Sequence, residues 1–207
     1  MNLTTIILTF NEEIHLARCL ESVSKLTSQI VVVDCFSTDK TLEIAKSYGA
    51  TVLQRPWDGS HSTQVNWALD QLANLPMKTD WVMRIDADEV LTPELVLQIK
   101  NAVIHAPKQL NGISCIRKMK FQGRLIRFGG VGSNRVMRLF RYGFGRSESR
   151  WMDEHIKVDG NSMALSGVMI DDNLRSFSWW IEKHNGYSSR EAVDLLNLEY
   201  RFAQQNS

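Results

Sequence analysis

Two aspartates separated by one residue, Asp86 and Asp88, follow the apolar run at 81–85. Carboxylates this close raise each other's pKa unless a cation or hydrogen-bond donors compensate their charge. A hard divalent cation is the usual compensation, because Mg²⁺ takes one or two carboxylates and fills its shell with water and substrate phosphates. The pair therefore predicts a divalent metal ion, Mg²⁺ or Mn²⁺, that holds a phosphorylated ligand. The alternative is that one aspartate only caps a turn before a helix predicted near Pro93.

The elements that must position these aspartates alternate between strand and helix over the first hundred residues. Apolar runs rich in β-branched residues predict strands at 3–9, 30–33, 51–53 and 81–85. Helical spacing and capping residues predict helices over 16–23, after Thr38 or Asp39, over 60–75 and from Pro93 onward. Continuous apolar strands that alternate with helices predict an α/β fold, with a mostly parallel central sheet and flanking helices.

Polar residues follow three of the predicted strands. Asn11 and Asp34 come after the first and second strands, and the Asp86/Asp88 pair follows the strand at 81–85. Ligands of such sheets bind beyond the carboxyl ends of the strands. The sequence therefore predicts that these three polar loops form one crevice.

The second half of the chain has a different pattern. Strands are predicted at 112–118 and 135–140, with a glycine-rich loop at 129–132 between them. Arg135 and Arg138 point to opposite faces if they share a strand, so at most one of them serves the active site. From Phe177 onward the pattern is helical and rich in aromatic residues.

Composition limits the class of protein. The 207 residues are 43% hydrophobic and 23% charged, which is typical of a soluble globular protein with a real core. Three cysteines without disulfide or metal spacing predict reduced thiols and a cytoplasmic protein. We find no signal-peptide pattern and no apolar run of the ~18 residues that a membrane span needs.

Charge is spread unevenly along the chain. The segment 117–150 has ten basic residues and one acidic residue, Glu148. Such a block is able to face nucleic acid, anionic lipid or a phosphate-bearing ligand. The alternative is an ordinary solvated face of sheet and loop.

Several common catalytic motifs are absent, among them the P-loop, His-Glu-x-x-His and Gly-x-Ser-x-Gly. Five other segments occur in order: TFNEE at 9–13, VVDCFSTD at 32–39, QRP at 54–56, NWAL at 66–69 and RIDADE at 84–89. Together they resemble the bacterial family 2 glycosyltransferases of GT-A fold, close to those that build lipopolysaccharide cores and exopolysaccharides. The resemblance covers about residues 1–160 and is specific for the family, but not for a sugar.

The resemblance implies roles for individual residues. It predicts that seven residues contact the nucleotide of a nucleotide-sugar donor: Thr9, Asn11, Glu12, Asp34, Arg55, Asn66 and Asp86. Asp34 would hydrogen-bond the base edge, although it is also placed to cap a strand end. Asp86 would contact ribose or metal, and Asp88 would ligate the metal that bridges the diphosphate.

The resemblance also implies a catalytic base in the second half. An inverting transferase needs a carboxylate that takes the proton of the acceptor hydroxyl. The matching position is Glu154, with Asp153 as the second choice. His155 is a further candidate metal ligand, since neutral imidazole binds metals, or a structural hydrogen-bonding histidine.

The resemblance then predicts an inverting glycosyltransferase that uses a nucleotide-diphosphate sugar, expected to be a UDP-sugar, in cell-surface polysaccharide synthesis. Its acceptor would be a saccharide or a lipid-linked saccharide, and nucleic acid is not an expected partner. The alternatives are a nucleotidyltransferase, which normally needs a glycine-rich loop after the first strand, and a non-catalytic nucleotide-sugar-binding module.

The resemblance also predicts the organisation of the chain. A GT-A catalytic domain is expected at 1–175, with the nucleotide in 1–105 and the acceptor and catalytic groups in 106–175. The helical segment 176–207 contains Trp179 and Trp180, which suit a sugar, a lipid interface or simple packing. We expect this segment to face an anionic membrane or a second copy of the chain, so that the protein lies peripherally at the inner face of the plasma membrane.

Overall fold

The computed structural model describes residues 2–128, 132–148 and 154–200. Over these residues the strands are β1 (Leu3–Thr9), β2 (Gln29–Asp34), β3 (Thr51–Gln54), β4 (Trp81–Asp86), β5 (Glu89–Leu91), β6 (Leu110–Phe121), β7 (Arg124–Leu125), β8 (Ser133–Arg141), β9 (Gly145–Ser147), β10 (Ile156–Val158) and β11 (Asn161–Asp172). The helices are α1 (Leu16–Ser24), α2 (Thr41–Ser47), α3 (His61–Gln71), α4 (Pro93–Ile104) and α5 (Phe177–Tyr200).

One central sheet has the strand order β3-β2-β1-β4-β8-β6-β11-β5. The first four strands are parallel, which confirms the α/β prediction for the first half of the chain. Beyond β4 the sheet is mixed, because β8 lies antiparallel to both β4 and β6, while β6 and β11 are parallel. Strand β8 runs opposite to β4 and therefore places its own side chains beside those of β4.

Apolar side chains cover both faces of the sheet. One cluster packs α1, α2 and α4 on one face, with Leu20, Ala45 and Ile99 among its buried members. The other packs α3 on the opposite face through Val65 and Ala68. Alternate residues of each parallel strand serve the two clusters, which is why these strands read as continuous apolar runs.

The predicted helix starts are observed with one adjustment. Thr92 caps α4 by accepting a hydrogen bond from the Leu95 amide, and Ser60 caps α3. Helix α2 begins at Thr41, later than a cap at Thr38 or Asp39 would place it, with Lys40 in the cap position. The Asp39 carboxylate still accepts the Thr41 amide proton at 2.9 Å.

The aromatic helix predicted from Phe177 is α5, and it contacts the sheet through aromatic rings. The Phe121 ring at the end of β6 lies 5.0 Å from Trp180 and 5.9 Å from Phe177, between ring centroids. No helix in the described part of the chain is long and apolar enough to span a membrane. All three cysteines are free, as predicted.

Candidate active site

The ends of β1, β2 and β4, where the sequence predicts a crevice, lie side by side, because β2 and β4 both pair in parallel with β1. Thr9 and Asp34 are register partners at the ends of β1 and β2, and the Thr9 hydroxyl donates to Asp34 Oδ1 over 3.0 Å. Asp34 is fully buried and also accepts hydrogen bonds from the Ser37 hydroxyl, the Ser37 amide and Gln54 Nε2. These four donors give Asp34 the strand-end role that the sequence left open. A contact between Asp34 and a base stays a prediction.

The loop after β1 is held by side chains rather than by regular structure. Asn11 has a left-handed backbone, with φ of 54°, which asparagine tolerates better than most residues. Its side-chain oxygen accepts the Thr38 amide proton at 2.9 Å. The Glu12 carboxylate lies 2.5 Å from Nδ1 of the buried His15. The proposed nucleotide contacts Asn11 and Glu12 therefore lie on a rigid loop.

Asp86 is neutralised by arginine. Its Oδ1 lies 2.7 Å from Arg84 Nη2, and its Oδ2 accepts from Arg84 Nη1 at 2.9 Å and from Arg138 Nη2 at 3.2 Å. Burial alone would raise the pKa of Asp86, but the two guanidinium groups outweigh it and lower that pKa to about 2. Asp86 is therefore an ionised carboxylate with both oxygens engaged.

Arg138 links Asp86 to a second buried acid. Its guanidinium also pairs with Glu89, which is 1% exposed and accepts the Asp86 amide proton at 2.9 Å. Burial raises the pKa of Glu89, and Arg138 opposes that rise. Arg135 instead donates to the Leu165 carbonyl, so only one of the two arginines serves the site, as strand alternation predicts.

Asp88 has a different environment from Asp86. Asn173 Nδ2 donates to Asp88 Oδ2 over 2.9 Å, and the Asp172 amide donates to the Asp88 carbonyl. Within residues 2–128, 132–148 and 154–200, no ion pair involves Asp88. Asp88 is thus the carboxylate of the pair whose charge remains available to an external cation.

The neighbouring Asp171 shows that negative charge is in excess here. Burial, together with the charges of Asp88 and Glu89, raises the pKa of Asp171 to about 7, although Arg117 at 3.9 Å opposes this rise. In the described residues, no three His, Cys, Asp or Glu side chains form a metal cage on their own. Asp88 fits a Mg²⁺-type site, which one carboxylate, water and substrate phosphates complete.

Glu154 lies across the crevice, at the start of α3. Its Oε1 accepts a hydrogen bond from the Ser60 hydroxyl at 3.3 Å. Burial lowers the pKa of His61, while the charges of Asp86 and Glu154 oppose that shift. Both carboxylates therefore lie within electrostatic range of the same imidazole. Asp153 lies outside the described residues.

His155 is placed away from the two aspartates. Its Nδ1 lies 2.9 Å from Glu148 Oε1, and Lys157 Nζ lies 2.7 Å from Glu148 Oε2. These contacts fasten β9 to β10. They match the structural alternative for His155, and its role as a metal ligand stays a prediction.

The remaining predicted nucleotide contacts have structural partners. Arg55 Nη2 pairs with Asp58 at 2.7 Å. The side-chain oxygen of Asn66 accepts a hydrogen bond from the Ser147 backbone amide at 3.0 Å, and its Nδ2 donates to the Ser147 carbonyl at 2.9 Å. These two bonds join α3 to β9. Their contacts with a nucleotide stay predictions.

Four residues of this site were not predicted from the sequence: Arg84, Glu89, His61 and Arg175. Arg84 was recoverable, because it stands two positions before Asp86 on one strand and so shares its face. Glu89, His61 and Arg175 gave no such signal. The Arg175 guanidinium donates to the Asn11 carbonyl and lies 3.8 Å from Glu12 Oε1.

The chain is similar in sequence to known glycosyltransferases. A sequence profile described as "Glycosyl transferase family 2" matches residues 4–171. The chain is 31% identical to an uncharacterized glycosyltransferase of Rickettsia typhi, over 97% of this chain and 70% of the relative. It is 30% identical to the lipopolysaccharide core biosynthesis glycosyltransferase LpsC of Rhizobium meliloti, over 92% of this chain and 70% of the relative.

Among solved structures, TarS of S. aureus in complex with UDP-GlcNAc superposes with a TM-score of 0.54 at 17% identity. The match covers 85% of this chain and 60% of the TarS chain. At that identity the likeness is evidence for the fold alone.

Proposed function

This chain belongs to glycosyl transferase family 2 and has the GT-A fold, and from that premise we propose that it is an inverting glycosyltransferase with a UDP-sugar donor. Membership makes it an enzyme of the glycosyltransferase class. The proposal adds the donor, the stereochemistry, and an acceptor that is a saccharide or a lipid-linked saccharide of the cell surface. The LpsC relative supports this acceptor class.

The observation that carries the proposal is the different environment of the two aspartates. Asp86 forms ion pairs with Arg84 and Arg138. Asp88 instead accepts a hydrogen bond from the Asn173 side-chain amide and has excess negative charge beside it. A site of this kind gains from a divalent cation and from the diphosphate that such a cation binds. Among the described residues no cation lies within ion-pair distance of Asp88, and a purely structural turn would gain nothing from that arrangement.

Asp88 would hold the metal ion, Mg²⁺ or Mn²⁺, and Asp86 would contact it or the ribose. When bound, the metal would neutralise charge on the leaving diphosphate. Asp86, fixed by Arg84 and Arg138, would keep its position whether or not the donor is bound. The chain itself thereby supplies a preorganised, negatively charged floor to the crevice.

Glu154 would act as the base, because it faces the same space and Ser60 orients its carboxylate. The acceptor oxygen attacks C1 of the donor sugar as the bond from C1 to the diphosphate oxygen breaks. The hydroxyl proton passes to Glu154, the nucleoside diphosphate leaves, and the configuration at C1 is inverted. The carbon passes through oxocarbenium-like character, which the ionised carboxylates nearby favour.

A nucleotidyltransferase is less well supported, because the segment 10–15 between β1 and α1 has no glycine. A binding module without activity would bind the donor but never turn it over. Metal-dependent hydrolysis or transfer of a UDP-sugar separates these classes.

The direct test is a thermal shift screen of UDP-, GDP-, dTDP- and CMP-sugars with and without Mn²⁺. Ligands that bind the native state raise the melting temperature by mass action. We expect UDP-sugars to stabilise the protein only when Mn²⁺ is present. Stabilisation by another nucleotide class would overturn the UDP assignment, and full stabilisation without metal would overturn the metal assignment.

A further inference from the structure

Helix α5 has two stripes of side chains with different functions. The first consists of Phe177, Trp180 and His184, whose rings stack in sequence, while Phe177 and Trp180 also contact Phe121 of the sheet at steep interplanar angles. Trp180 lies 3.8 Å from His184 and 5.0 Å from Phe121, between ring centroids. This stripe accounts for the packing of the helix.

The second stripe alternates cations and aromatic rings at every fourth position: Arg175, Trp179, Lys183 and Tyr187. The Arg175 guanidinium carbon and Lys183 Nζ each lie 4.9 Å from the Trp179 ring centroid. Lys183 Nζ lies 5.4 Å from the Tyr187 ring. Residues four apart share one side of a helix, which aligns Trp179, Lys183 and Tyr187 on α5. Arg175 lies just before the helix and extends this row, which we call the cation–aromatic ladder.

The ladder begins at the candidate metal carboxylate. Asn173 donates to Asp88, and Asn173 Oδ1 accepts the Arg175 amide proton at 3.0 Å. Along its helical part, from 179 to 187, the helical rise gives the ladder a length of about 12 Å. The ladder therefore extends from the residues next to Asp88 over a distance greater than one sugar ring.

A groove of about 320 Å³ runs beside the ladder, lined by Trp179, Glu182, Lys183, Gly186, Tyr187 and Arg190. Gly186 lies inside the helix, where glycine is less favourable than alanine. A Cβ at this position would meet no atom within 4 Å. Packing within the chain thus does not require glycine here, and the missing side chain leaves the groove open.

Lys183 is held as a cation between the Trp179 and Tyr187 rings. Burial lowers the pKa of Lys183, but Tyr187 and the carboxylates of Asp88 and Asp86 outweigh burial and raise it. Aromatic rings offer flat apolar faces to sugars, and ammonium and guanidinium groups form charge-assisted hydrogen bonds with carboxylates and phosphates.

We propose that the cation–aromatic ladder of α5 is an acceptor subsite and that it selects an acidic saccharide, one with carboxylate or phosphate groups. This inference rests on the proposed function, since it names the acceptor class for the same crevice. It assigns a substrate role to a segment that packing alone does not explain.

The test measures saccharide binding by calorimetry, without nucleotide, for three probes: trigalacturonate, phosphorylated maltotriose and neutral maltotriose. We expect at least one acidic probe to bind about tenfold or more tightly than maltotriose. Lys183→Met should weaken the acidic probe about tenfold and leave maltotriose unchanged. Gly186→Leu should weaken the acidic probe by filling the groove. Lys46→Met, on the exposed face of α2, is the charge-matched control, and thermal melts verify that each variant is folded.

Equal binding of acidic and neutral probes, or no binding of any probe, would overturn the proposal. It would also fail if Lys183→Met lost UDP affinity while saccharide binding stayed constant, because Lys183 would then belong to the donor diphosphate. Lys183-dependent binding to phosphatidylglycerol vesicles without saccharide binding would assign the ladder to a membrane instead. A failure of UDP to bind the wild-type chain concerns the proposed function, and the nucleotide-free titration remains a separate result.

Discussion

His15 and Leu174 stand 159 positions apart, yet the Leu174 amide donates a hydrogen bond to His15 Nε2 over 2.9 Å. Since Nε2 accepts, the ring proton is on Nδ1, which donates to Glu12 Oε2. One buried imidazole therefore joins the loop after β1 to the segment that leads into α5.

His15→Leu should weaken this connection, because leucine fills the space but leaves the Leu174 amide without its acceptor. An unsatisfied buried donor costs about 1–3 kcal/mol, so the free energy of unfolding should fall by that amount. Urea denaturation measures it. His105→Leu, at an exposed histidine after α4, is the control, and an equal midpoint for both variants would contradict the role of His15.

Asp88→Asn should abolish metal-dependent nucleotide binding while the fold survives. Metal stabilisation of transition-state charge is worth several kcal/mol, so turnover should fall at least ~10³-fold. Asp70→Asn, which breaks an exposed pair with Arg146, should leave turnover unchanged. Unchanged UDP affinity in the presence of Mn²⁺ would remove Asp88 from the metal site.

Glu154→Gln should keep donor binding and lose transfer by ~10²–10⁴-fold, the usual contribution of a positioned base. The glutamine still accepts from Ser60, so the local geometry is retained. Steady-state transfer and UDP titration separate the two effects. If Asp153→Asn is inactive and Glu154→Gln is active, the base is Asp153, and if both are active the cluster is structural.

Asp171 should make the protein less stable as pH rises. Its folded pKa of about 7 lies above the unfolded value of about 3.9, so the native state binds the extra proton between these values. Stability therefore decreases from about pH 4 to about pH 7. Asp171→Asn should raise the melting temperature by at least ~2 °C at pH 8 and change it little at pH 4. An equal effect at both pH values would contradict the shifted pKa.

The chain should bind anionic membranes. Leu174, Phe177 and Ile181, in α5 and just before it, expose apolar side chains, and Phe177 contacts Phe121 at the end of β6, next to β7 with its exposed Arg124. Each basic residue near an anionic surface contributes about 1 kcal/mol. Liposome sedimentation should show binding to phosphatidylglycerol vesicles that salt weakens. Equal binding to neutral vesicles, or none at low salt, would rule out electrostatic attachment, and a concentration-dependent dimer would favour a second copy on this face.

The sequence was sufficient for the first half of the fold because local patterns and tertiary structure agree there. The buried residues of α4 are Leu95, Ile99 and Val103, as the helical spacing predicts. The long strand β11 was missed, because its first residues are largely exposed and its pairing with β6 shifts between Ala164 and Val168. That irregularity removes the alternation by which a strand is recognised.

The candidate site was predicted only in part for a related reason. Strand ends locate Asp34, Asp86 and Asp88, but the sequence does not say which carboxylate is already paired. Arg138 reaches Asp86 from an antiparallel strand, and the basic block at 117–150 is divided between ion pairs on different faces rather than forming one surface. Ion pairs between residues on strands far apart in the chain are not visible in the spacing of residues along the sequence.

The antiparallel pairing of β8 with β4 has a consequence for synthesis of the chain on the ribosome. A chain that emerges N-terminus first displays Asp86 with Arg84 long before Arg138 exists, and Asp88 before Asn173. Contacts between residues so far apart form late, since they must close long loops. The proposed donor site is therefore complete only after the start of α5 has emerged from the ribosome.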